Sequence, residues 1–326
     1  MKHVSILIPS GETSLSNIEA VYKMFSRVND AMQRAGKPAL FDIHLVGLAK
    51  ETRLGNGIFT INPDQIVSEV TQTDLIIIPA VHGDISQILA ANQSFLPWIV
   101  QHYQQGAEVV SLCIGAFILA ATGLLNGKSC TTHWLMADEF KKMFPLVNLM
   151  PYRIVTDEAG IYTSGGAYSS LNLILYLVEK HAGRDLAILS SKVFEIDIDR
   201  SSQSPFIIFH RQKEHEDEAI RKAQEFIEHN FQEKITIDQL ADMLAIGRRN
   251  LERRFKKATS NTVLEYMQRV KIEAAKMSLE SSRENVNEVM YNVGYTDPKA
   301  FRTIFKKITG LSPVEYRNKY NKQMVA

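Results

Sequence analysis

The C-terminal third of the chain contains one helical pattern twice. Residues 251–259 read LERRFKKAT and residues 301–309 read FRTIFKKIT, at an offset of 50. The segments before them match at an offset of 49, so the second connecting turn is one residue longer than the first. Two copies are too few for a solenoid, which stacks roughly three or more repeats. The repeat therefore predicts a duplicated helix-turn-helix.

Helix-start signals accompany both copies. Thr236 with Gln239, and Asn285 with Glu288, have the spacing of a capping box. Asp297 is a further cap, and the proline after it loses nothing at the first helical position, where its missing N–H is not needed. These signals place the start of each helix pair.

A long helix is predicted between the two copies. Residues 263–281 contain no Gly or Pro, and their apolar residues recur at helical spacing. The predicted apolar stripe consists of Leu264, Met267, Val270, Ala274 and Met277. We call each helix-turn-helix copy a reading head. Such a helix would hold the two reading heads one duplex turn apart, about 34 Å, so that both could enter the major groove on one side of DNA.

The second helix of each copy has one apolar face and one basic face. Leu251 and Phe255 are four residues apart in the first copy and face inward. Phe301 and Phe305 do the same in the second copy. Either copy alone is also typical of a helical bundle with solvated charges, but the repeat, caps and turns together favour binding to guanine edges and phosphates. The expected DNA-binding residues are Arg248, Arg249, Glu252, Arg253, Lys256, Lys299, Arg302, Thr303 and Lys306.

The positive charge is concentrated at the C-terminal end. Residues 1–210 carry 15 basic and 19 acidic residues, whereas residues 247–326 carry 17 basic and 8 acidic ones. The net charge of the whole chain is only +1. A basic segment behind a slightly acidic body indicates a polyanionic partner for one end of the chain.

The first two hundred residues alternate between strand and helix patterns. Strand-like runs occupy residues 4–9 and 41–48. Short continuous apolar runs, typical of parallel strands buried on both faces, occupy residues 74–79 and 108–112. Helical patterns between and after them occupy residues 17–35, 114–125 and 169–181. This alternation indicates an open α/β sandwich with a mostly parallel sheet.

Cys113 lies where a buried strand turns into a helix, in the stretch SLCIG. This pattern is similar to a nucleophile elbow, in which a small residue two positions on, here Gly115, lets helix and strand pack closely. A thiol at a helix N-terminus is expected to have its thiolate favoured. His133 could then polarise that thiol. Taken alone, each of these residues also fits a buried structural role, which is our expectation for Cys130.

The C-terminal part resembles the AraC-type transcription regulators from Asp217 to about Tyr320. The matching residues are Gly294-Tyr295, Phe301, Phe305-Lys306, Gly310-Leu-Ser-Pro313 and Tyr316-Arg317. The resemblance implies base contacts in the first head from Arg249, Glu252 and Arg253, and in the second from Lys299, Arg302 and Thr303. Two residues depart from the family pattern. Gly247 replaces the usual serine cap, and Thr303 replaces the usual arginine, so the second head is expected to contribute less to sequence recognition.

The N-terminal part, residues 1–190, resembles the PfpI-like domain of the class I glutamine amidotransferase-like superfamily. The matching motifs are CIGAFILAATGLL from Cys113, THW at residues 132–134, YTSGGA at 162–167 and DRSSQSP at 199–205. The resemblance implies a flavodoxin-like sandwich, and its fusion to an AraC-type domain is the GlxA-like architecture. Enzymes of the superfamily use a cysteine, a histidine and an acidic residue.

The acidic member of that catalytic set is missing at its expected place. Asn17 is at the nearest position, with Glu19 as an alternative, and no histidine follows Cys113. An uncharged Asn binds ligands but cannot orient an imidazole through charge. We therefore expect Cys113 and His133 to be vestigial and the protein not to be an enzyme. The expected ligand-binding residues are Asn17, His82, Gly83, Cys113, His133, Gly165 and Gly166.

The remaining composition excludes several classes of protein. Two cysteines without a CxxC pair argue against a disulfide scaffold and fit a reducing cytoplasm. No metal-ligand spacing and no cofactor motif is evident. The apolar start is too short for a signal peptide, and the long uncharged run at residues 109–127 reads as buried strand and helix rather than a membrane span.

The sequence thus predicts three segments: a PfpI-like α/β sensor domain at 1–199, a linker at 200–216 and an all-α AraC-type domain with two helix-turn-helix motifs at 217–322. The expected function is sequence-specific transcriptional regulation, modulated by a small-molecule effector. Expected partners are a double-stranded promoter operator, RNA polymerase and a second copy in a homodimer. Two alternatives remain: a cysteine-dependent amidase or glyoxalase-like enzyme with a nucleic-acid-binding tail, and a dimerisation module without ligand.

Overall fold

A computed structural model describes residues 1–209, 212–213 and 215–321. The chain divides into two compact units, Met1–Gln203 and Ser204–Ala326, and the division falls inside the predicted linker. Residues 210, 211 and 214 of that linker, and residue 322 at the predicted end of the second domain, lie outside the described residues.

The first unit alternates strands and helices. Its strands are β1 (Lys2–Ile8), β2 (Glu12–Thr13), β3 (Phe41–Gly47), β4 (Thr52–Leu54), β5 (Phe59–Ile61), β6 (Gln65–Ile66), β7 (Leu75–Ile78), β8 (Val81–His82), β9 (Glu108–Ser111), β10 (Ser129–Cys130), β11 (Asn148–Leu149), β12 (Val155–Glu158) and β13 (Ile161–Ser164). Its helices are α1 (Leu15–Arg34), α2 (Ile85–Ala91), α3 (Phe95–Gln104), α4 (Ala116–Ala121), α5 (Ala137–Met143), α6 (Ser170–Ala182) and α7 (Arg184–Val193).

The central sheet of the first unit is mostly parallel, as predicted. Its seven described strands have the order β12-β13-β9-β7-β1-β3-β6. Every neighbouring pair is parallel except β12 and β13 at one edge. Because β7, β9 and β13 run in the same direction, the residues that follow them meet at one edge of the sheet.

Helices cover both faces of this sheet. The core on one face packs β1 and β7 against α1, α6 and α7, and includes Phe25 stacked on Phe41 with ring centroids 4.3 Å apart. The core on the other face packs alternate sheet residues against α2 to α5. A sheet buried on both sides explains the continuous apolar runs of its strands.

The predicted helix at residues 114–125 is shorter in the structure. A 3-10 turn occupies Cys113–Gly115, and α4 follows but ends at Ala121. The hydroxyl of Thr122 donates to the carbonyl of Leu119, which gives the helix end a local alternative partner. The apolar run continues past the end of α4 because Leu125, which lies in the following loop, is also buried.

The second unit is helical throughout its described residues. Its helices are α8 (Glu218–His229), α9 (Ile237–Met243), α10 (Arg248–Thr259), α11 (Val263–Ser281), α12 (Val286–Asn292), α13 (Pro298–Thr309) and α14 (Pro313–Tyr320). The first half of α11 packs with α8 to α10, and its second half packs with α12 to α14. Helix α11 therefore joins two small cores, the first core with α8 to α10 and the second core with α12 to α14. No helix in the described ranges is long and apolar enough to cross a membrane.

The bounds predicted for the long helix are confirmed, but its predicted apolar stripe is partly wrong. Leu264 and Met277 are 55% and 63% exposed. The buried side chains instead include Tyr266 in the first core and Ile272 and Leu279 in the second. The stripe shifts because α11 presents different faces to its two partners.

Candidate functional site

Cys113 occupies a strained turn directly after β9. Its φ angle is +55°, in the left-handed region that non-glycine residues seldom adopt. Gly115 lets the chain turn there, since a Cβ at Gly115 would lie 2.6 Å from the carbonyl oxygen of Pro79. The elbow geometry predicted from the sequence is therefore present, including the close approach of turn and strand.

Backbone and hydroxyl groups surround Cys113. Its N–H donates to Oγ of Ser164 at 3.1 Å, and its carbonyl accepts from Oγ1 of Thr132 at 2.9 Å. The sulfur accepts from the N–H of Ala167 at 3.4 Å. Burial raises the pKa of the Cys113 thiol above its ordinary value, outweighing the N–H groups of Ala167 and Ile114. The expectation of a favoured thiolate is thus wrong, because this turn is buried rather than open to solvent.

His133 binds the backbone through its Nδ1 and not the thiol. Its Nδ1 accepts from the N–H of Leu135 at 3.1 Å, so the ring proton is on Nε2. The ring packs against Gly166, where any Cβ would collide with it. Burial and the nearby His82 lower the pKa of His133, which favours the neutral ring. No hydrogen bond joins His133 and Cys113 in the described part of the chain.

Asn17 is buried and engaged with backbone neighbours of the site. Its Oδ1 accepts from the N–H of Ala80 at 3.1 Å, and its Nδ2 donates to Oγ of Ser170 at 3.1 Å. Ser170 in turn donates to the carbonyl of Ala167 at 2.9 Å. Asn17 therefore holds the turn that bonds the sulfur. The alternative, Glu19, pairs with Lys23 on the surface.

The structure brings most of the predicted pocket residues together. Cys113 follows β9, Gly165 and Gly166 follow β13, and His133, which follows β10, packs its ring against Gly166. His82 in β8 is close enough to His133 to affect its pKa. Gly83, next to His82, has a φ of +120°. Among the described residues, no group of three or more His, Cys, Asp or Glu side chains could hold a metal ion.

Gln203 is a site residue that the sequence reasoning did not select. Its Oε1 accepts from the N–H of Gly166 at 3.1 Å, and its side chain is almost fully buried. Its Nε2 donates to the carbonyl of Thr132 at 3.0 Å. The only sequence signal was its place in the motif at residues 199–205, which carries no indication of a fold-back onto the pocket.

The first reading head presents α10 as predicted. Thr236 and Gln239 form the expected capping box, and Leu251 and Phe255 are buried. Arg249, Arg253 and Lys256 are exposed on the opposite face, with Glu252 half-buried. Arg248 is already engaged, since its Nη1 lies 3.2 Å from Asp238 and its Nε lies 3.6 Å from Glu252.

The second reading head has the same arrangement on α13. Asn285 and Glu288 form a capping box, and Asp297 caps α13 through the N–H of Lys299. Phe301 and Phe305 are buried. The exposed face carries Lys299, Arg302, Thr303 and Lys306.

Two family matches cover most of the chain. Residues 4–180 match the DJ-1/PfpI family, and residues 240–319 match a helix-turn-helix domain. The chain belongs to the DJ-1/PfpI family and carries an AraC-type helix-turn-helix domain. It is a DNA-binding transcriptional regulator.

Several known proteins are similar to this DJ-1/PfpI-AraC regulator. The HTH-type transcriptional regulator GbdR of Pseudomonas aeruginosa is 24% identical over 268 residues, which are 79% of this chain and 69% of that protein. The HTH-type transcriptional regulator GlxA of Rhizobium meliloti is 26% identical over 222 residues, 66% of each chain. The bifunctional transcriptional activator/DNA repair enzyme AdaA of Bacillus subtilis is 37% identical over 93 residues, 28% of this chain and 44% of AdaA.

Solved structures support the fold of the regulator. An AraC family transcriptional regulator from Pseudomonas putida matches with a TM-score of 0.51 and 15% identity, covering 60% of this chain and all of that one. A THiJ/PfpI family protein from Pseudomonas syringae matches with a TM-score of 0.50 and 19% identity, over 75% of this chain and 90% of that one. At such low identity these matches show the fold alone.

Proposed function

We propose that the regulator recognises a promoter operator through α10 and α13, and that a small metabolite bound beside Cys113 modulates this recognition. The exposed basic faces of two capped recognition helices carry the first part of the proposal. Two such helices joined by one continuous helix suit successive major grooves. The protein acts in the cytoplasm, as a homodimer, with RNA polymerase as its further partner.

The proposed roles of the DNA-facing residues differ. Arg249 and Arg253 contact base edges from the first head, and Lys299 and Arg302 do so from the second. Arg248, Lys256 and Lys306 contact phosphates, which adds affinity without specificity. Glu252 and Thr303 lie on the same faces and take part in base recognition through an acceptor and a hydroxyl.

The proposed pocket binds a ligand rather than transforming it. A buried thiol with a raised pKa is a poor nucleophile at neutral pH. A neutral His133 with its proton on Nε2 is a hydrogen-bond donor and suits a ligand with an acceptor oxygen. His82, Gly83, Gly165 and Gly166 complete the lining, while Asn17 holds the turn behind the sulfur. The ligand class is therefore a small polar metabolite.

Binding-site selection on random duplex DNA tests the proposal. Full-length protein is expected to enrich one sequence with two blocks about one helical turn apart. The selection is then repeated with a panel of carboxylate, amide and hydroxyl metabolites, and one class is expected to change the affinity for the selected duplex. Light scattering on the same samples tests the homodimer. If no duplex is preferred over scrambled competitor at moderate salt, the DNA-reading part of the proposal fails.

Two observations favour a second function, cysteine-dependent catalysis. The positive φ of Cys113 and the Ala167 N–H directed at its sulfur are features that reactive elbows share. The matched test compares wild type with Cys113→Ala on amide and α-oxoaldehyde substrates. Turnover that disappears in the variant would establish an enzyme, whereas intact promoter control in Cys113→Ala would show that the thiol is not needed for regulation.

A further inference from the structure

The segment that joins the two units is bound to the second unit at its start. We call the described residues 204–209, 212, 213 and 215 the strap. The phenol of Tyr320 donates to the carbonyl of Pro205 at 3.2 Å, and the ammonium of Lys319 lies 4.8 Å from the ring centre of Phe206. Both partners belong to α14, which packs in the second core.

Buried charges on α11 hold the middle of the strap. Lys276 is only 4% exposed, and its ammonium donates to the carbonyl of Ile207 at 2.7 Å and to Glu273 at 2.8 Å. Glu273 also accepts from the N–H of Phe209 at 3.2 Å. A buried lysine is costly unless its charge is paired and its protons are used. Here the carbonyl of Ile207 in the strap accepts one of the ammonium protons, so the strap helps to stabilise the buried charge of Lys276.

The aromatic ring of Phe209 extends this contact along the same helix. It meets Tyr266 edge-on with ring centroids 5.2 Å apart, and the guanidinium of Arg269 lies 5.8 Å from its centre. Tyr266, Arg269, Glu273 and Lys276 are spaced three or four residues apart and therefore share one face of α11. The strap runs antiparallel to α11 along that face.

The end of the strap is bound by buried polar residues of the second unit. Asn261 donates to Oε1 of Gln212 at 2.8 Å, and Gln224 donates to the carbonyl of Gln212 at 3.0 Å. Lys213 lies 3.1 Å from the buried Glu228. The strap thus touches α14, α11 and α8 in turn and bridges the two halves that carry the reading heads.

The residue before the strap is anchored in the Cys113 site. Gln203 binds Gly166 and Thr132, which flank Ala167 and His133 in the chain, and one peptide bond separates it from Ser204. A ligand that moves the Gly166 turn or His133 would therefore displace the residue that precedes the strap. Such a change affects DNA binding only if the ligand prefers one arrangement of the strap.

We propose that the strap transmits the state of the Cys113 pocket to the reading heads, with Gln203 and Lys276 as its positioning residues. The inference rests on the proposed regulatory role of the pocket. Gln203 couples the pocket to the strap, and Lys276 couples the strap to the helix that sets the distance between the heads. Neither residue contacts DNA in this scheme.

The first test measures how strictly the full-length protein reads the distance between the two operator blocks. Wild type is expected to bind the selected spacing about tenfold more tightly than duplexes with one base pair inserted or removed. Lys276→Met should reduce this preference to about threefold or less, whereas Lys276→Arg, which keeps the positive charge, should retain the wild-type preference. Lys222→Met, at an exposed position on α8, is the matched control with the same charge change. An unchanged spacing preference in Lys276→Met, with the protein folded, would overturn the role of the strap.

The second test uses methyl methanethiosulfonate as the pocket probe. The Cys113 thiolate attacks the sulfenyl sulfur, a mixed disulfide forms, methanesulfinate leaves and the thiol proton goes to the buffer. Labelling at pH 9, with Cys113 identified by peptide mass, is followed by operator titration at neutral pH. The methylthio group should change operator affinity about fivefold or more in wild type, reversibly with dithiothreitol, by displacing the Ala167 turn.

Two variants distinguish the strap inference from the regulatory role of the Cys113 pocket. Gln203→Met and Lys276→Met should take up the same label but lose the affinity change. If both variants respond as wild type does, the strap inference fails while the regulatory pocket stands. If fully labelled wild type does not respond, the pocket's regulatory role fails, and the strap inference fails with it.

Discussion

The sulfur of Cys113 accepts a hydrogen bond from the N–H of Ala167, and both residues have left-handed backbone conformations, with φ angles of +55° and +49°. Each such conformation costs a non-glycine residue about 1–2 kcal/mol. Two of them in contact persist because the surrounding hydrogen bonds, from Thr132, Ser170 and Asn17, over-determine the site. The turn that carries the thiol is therefore preorganised.

The raised pKa of Cys113 predicts slow alkylation at neutral pH. Burial disfavours the thiolate, which is the reacting form. Iodoacetamide labelling of the folded protein should increase about tenfold per pH unit through pH 9 instead of levelling off near pH 7. Peptide mass spectrometry resolves this rate from that of Cys130, whose pKa burial raises to about 12 and which should react later. Rapid labelling of Cys113 at pH 7 would contradict the assignment and favour an enzyme.

Glu108 predicts an acid-sensitive first unit. Burial raises its pKa, but His181, Nε2 of which lies 3.2 Å away, and the phenol of Tyr162 at 2.6 Å more than compensate and lower the pKa to about 2. Because the native pKa is below the unfolded value of 4.5, the stabilisation is present above pH 4.5 and is lost as pH falls towards 2. The loss should be about 3 kcal/mol of unfolding free energy.

Urea unfolding followed by tryptophan fluorescence measures this loss of stability in the first unit, since both tryptophans, Trp98 and Trp134, lie there. Glu108→Gln should flatten the stability curve between pH 5 and 2 by about that amount. Glu139→Gln, at an exposed position of α5, is the matched control and should leave the curve as in wild type. Parallel curves for wild type and Glu108→Gln would refute the prediction.

The arginines of α10 should divide into two functional classes. Arg249→Ala or Arg253→Ala should weaken binding to the selected operator by about 1–3 kcal/mol and relax base preference at one position. Arg254 lies on the same helix but its guanidinium binds Asp217, the cap of α8. Arg254→Ala should therefore leave base preference intact. Operator titration with single-base variants distinguishes the two outcomes, and equal effects of all three substitutions would argue against specific recognition by α10.

The architecture was largely predictable because its signals are local. Capping boxes at Thr236 and Asn285, the apolar pairs on α10 and α13 and the buried runs of the parallel strands depend on neighbours within a few residues. The exposure of Leu264 and Met277 was not predictable. It depends on which cores α11 joins, and no single helical period carries that information.

The proximity of His133 and Gly166 to the Cys113 turn was predictable from the sequence, but the protonation of these groups was not. The elbow motif located Cys113 and the THW motif located His133, yet the direction of the thiol pKa depends on burial by residues distant in sequence. The tautomer of His133 depends on the N–H of Leu135, and the fold-back of Gln203 depends on the backbone after β13. Motifs identify residue types, whereas protonation follows from three-dimensional desolvation.

Thr303 offers a gain-of-function prediction. It is exposed on the reading face of α13, where the AraC-type pattern usually has arginine. Thr303→Arg adds one cation facing the duplex, so each complex should release about one more counterion and the slope of log affinity against log salt should become about 0.9 steeper. Operator affinity at low salt should rise several-fold. Asn318→Arg, which adds the same charge at an exposed position of α14, is the control and should change the slope far less. Identical salt slopes for the two variants would mean that residue 303 does not face the DNA and that the second head docks by another surface.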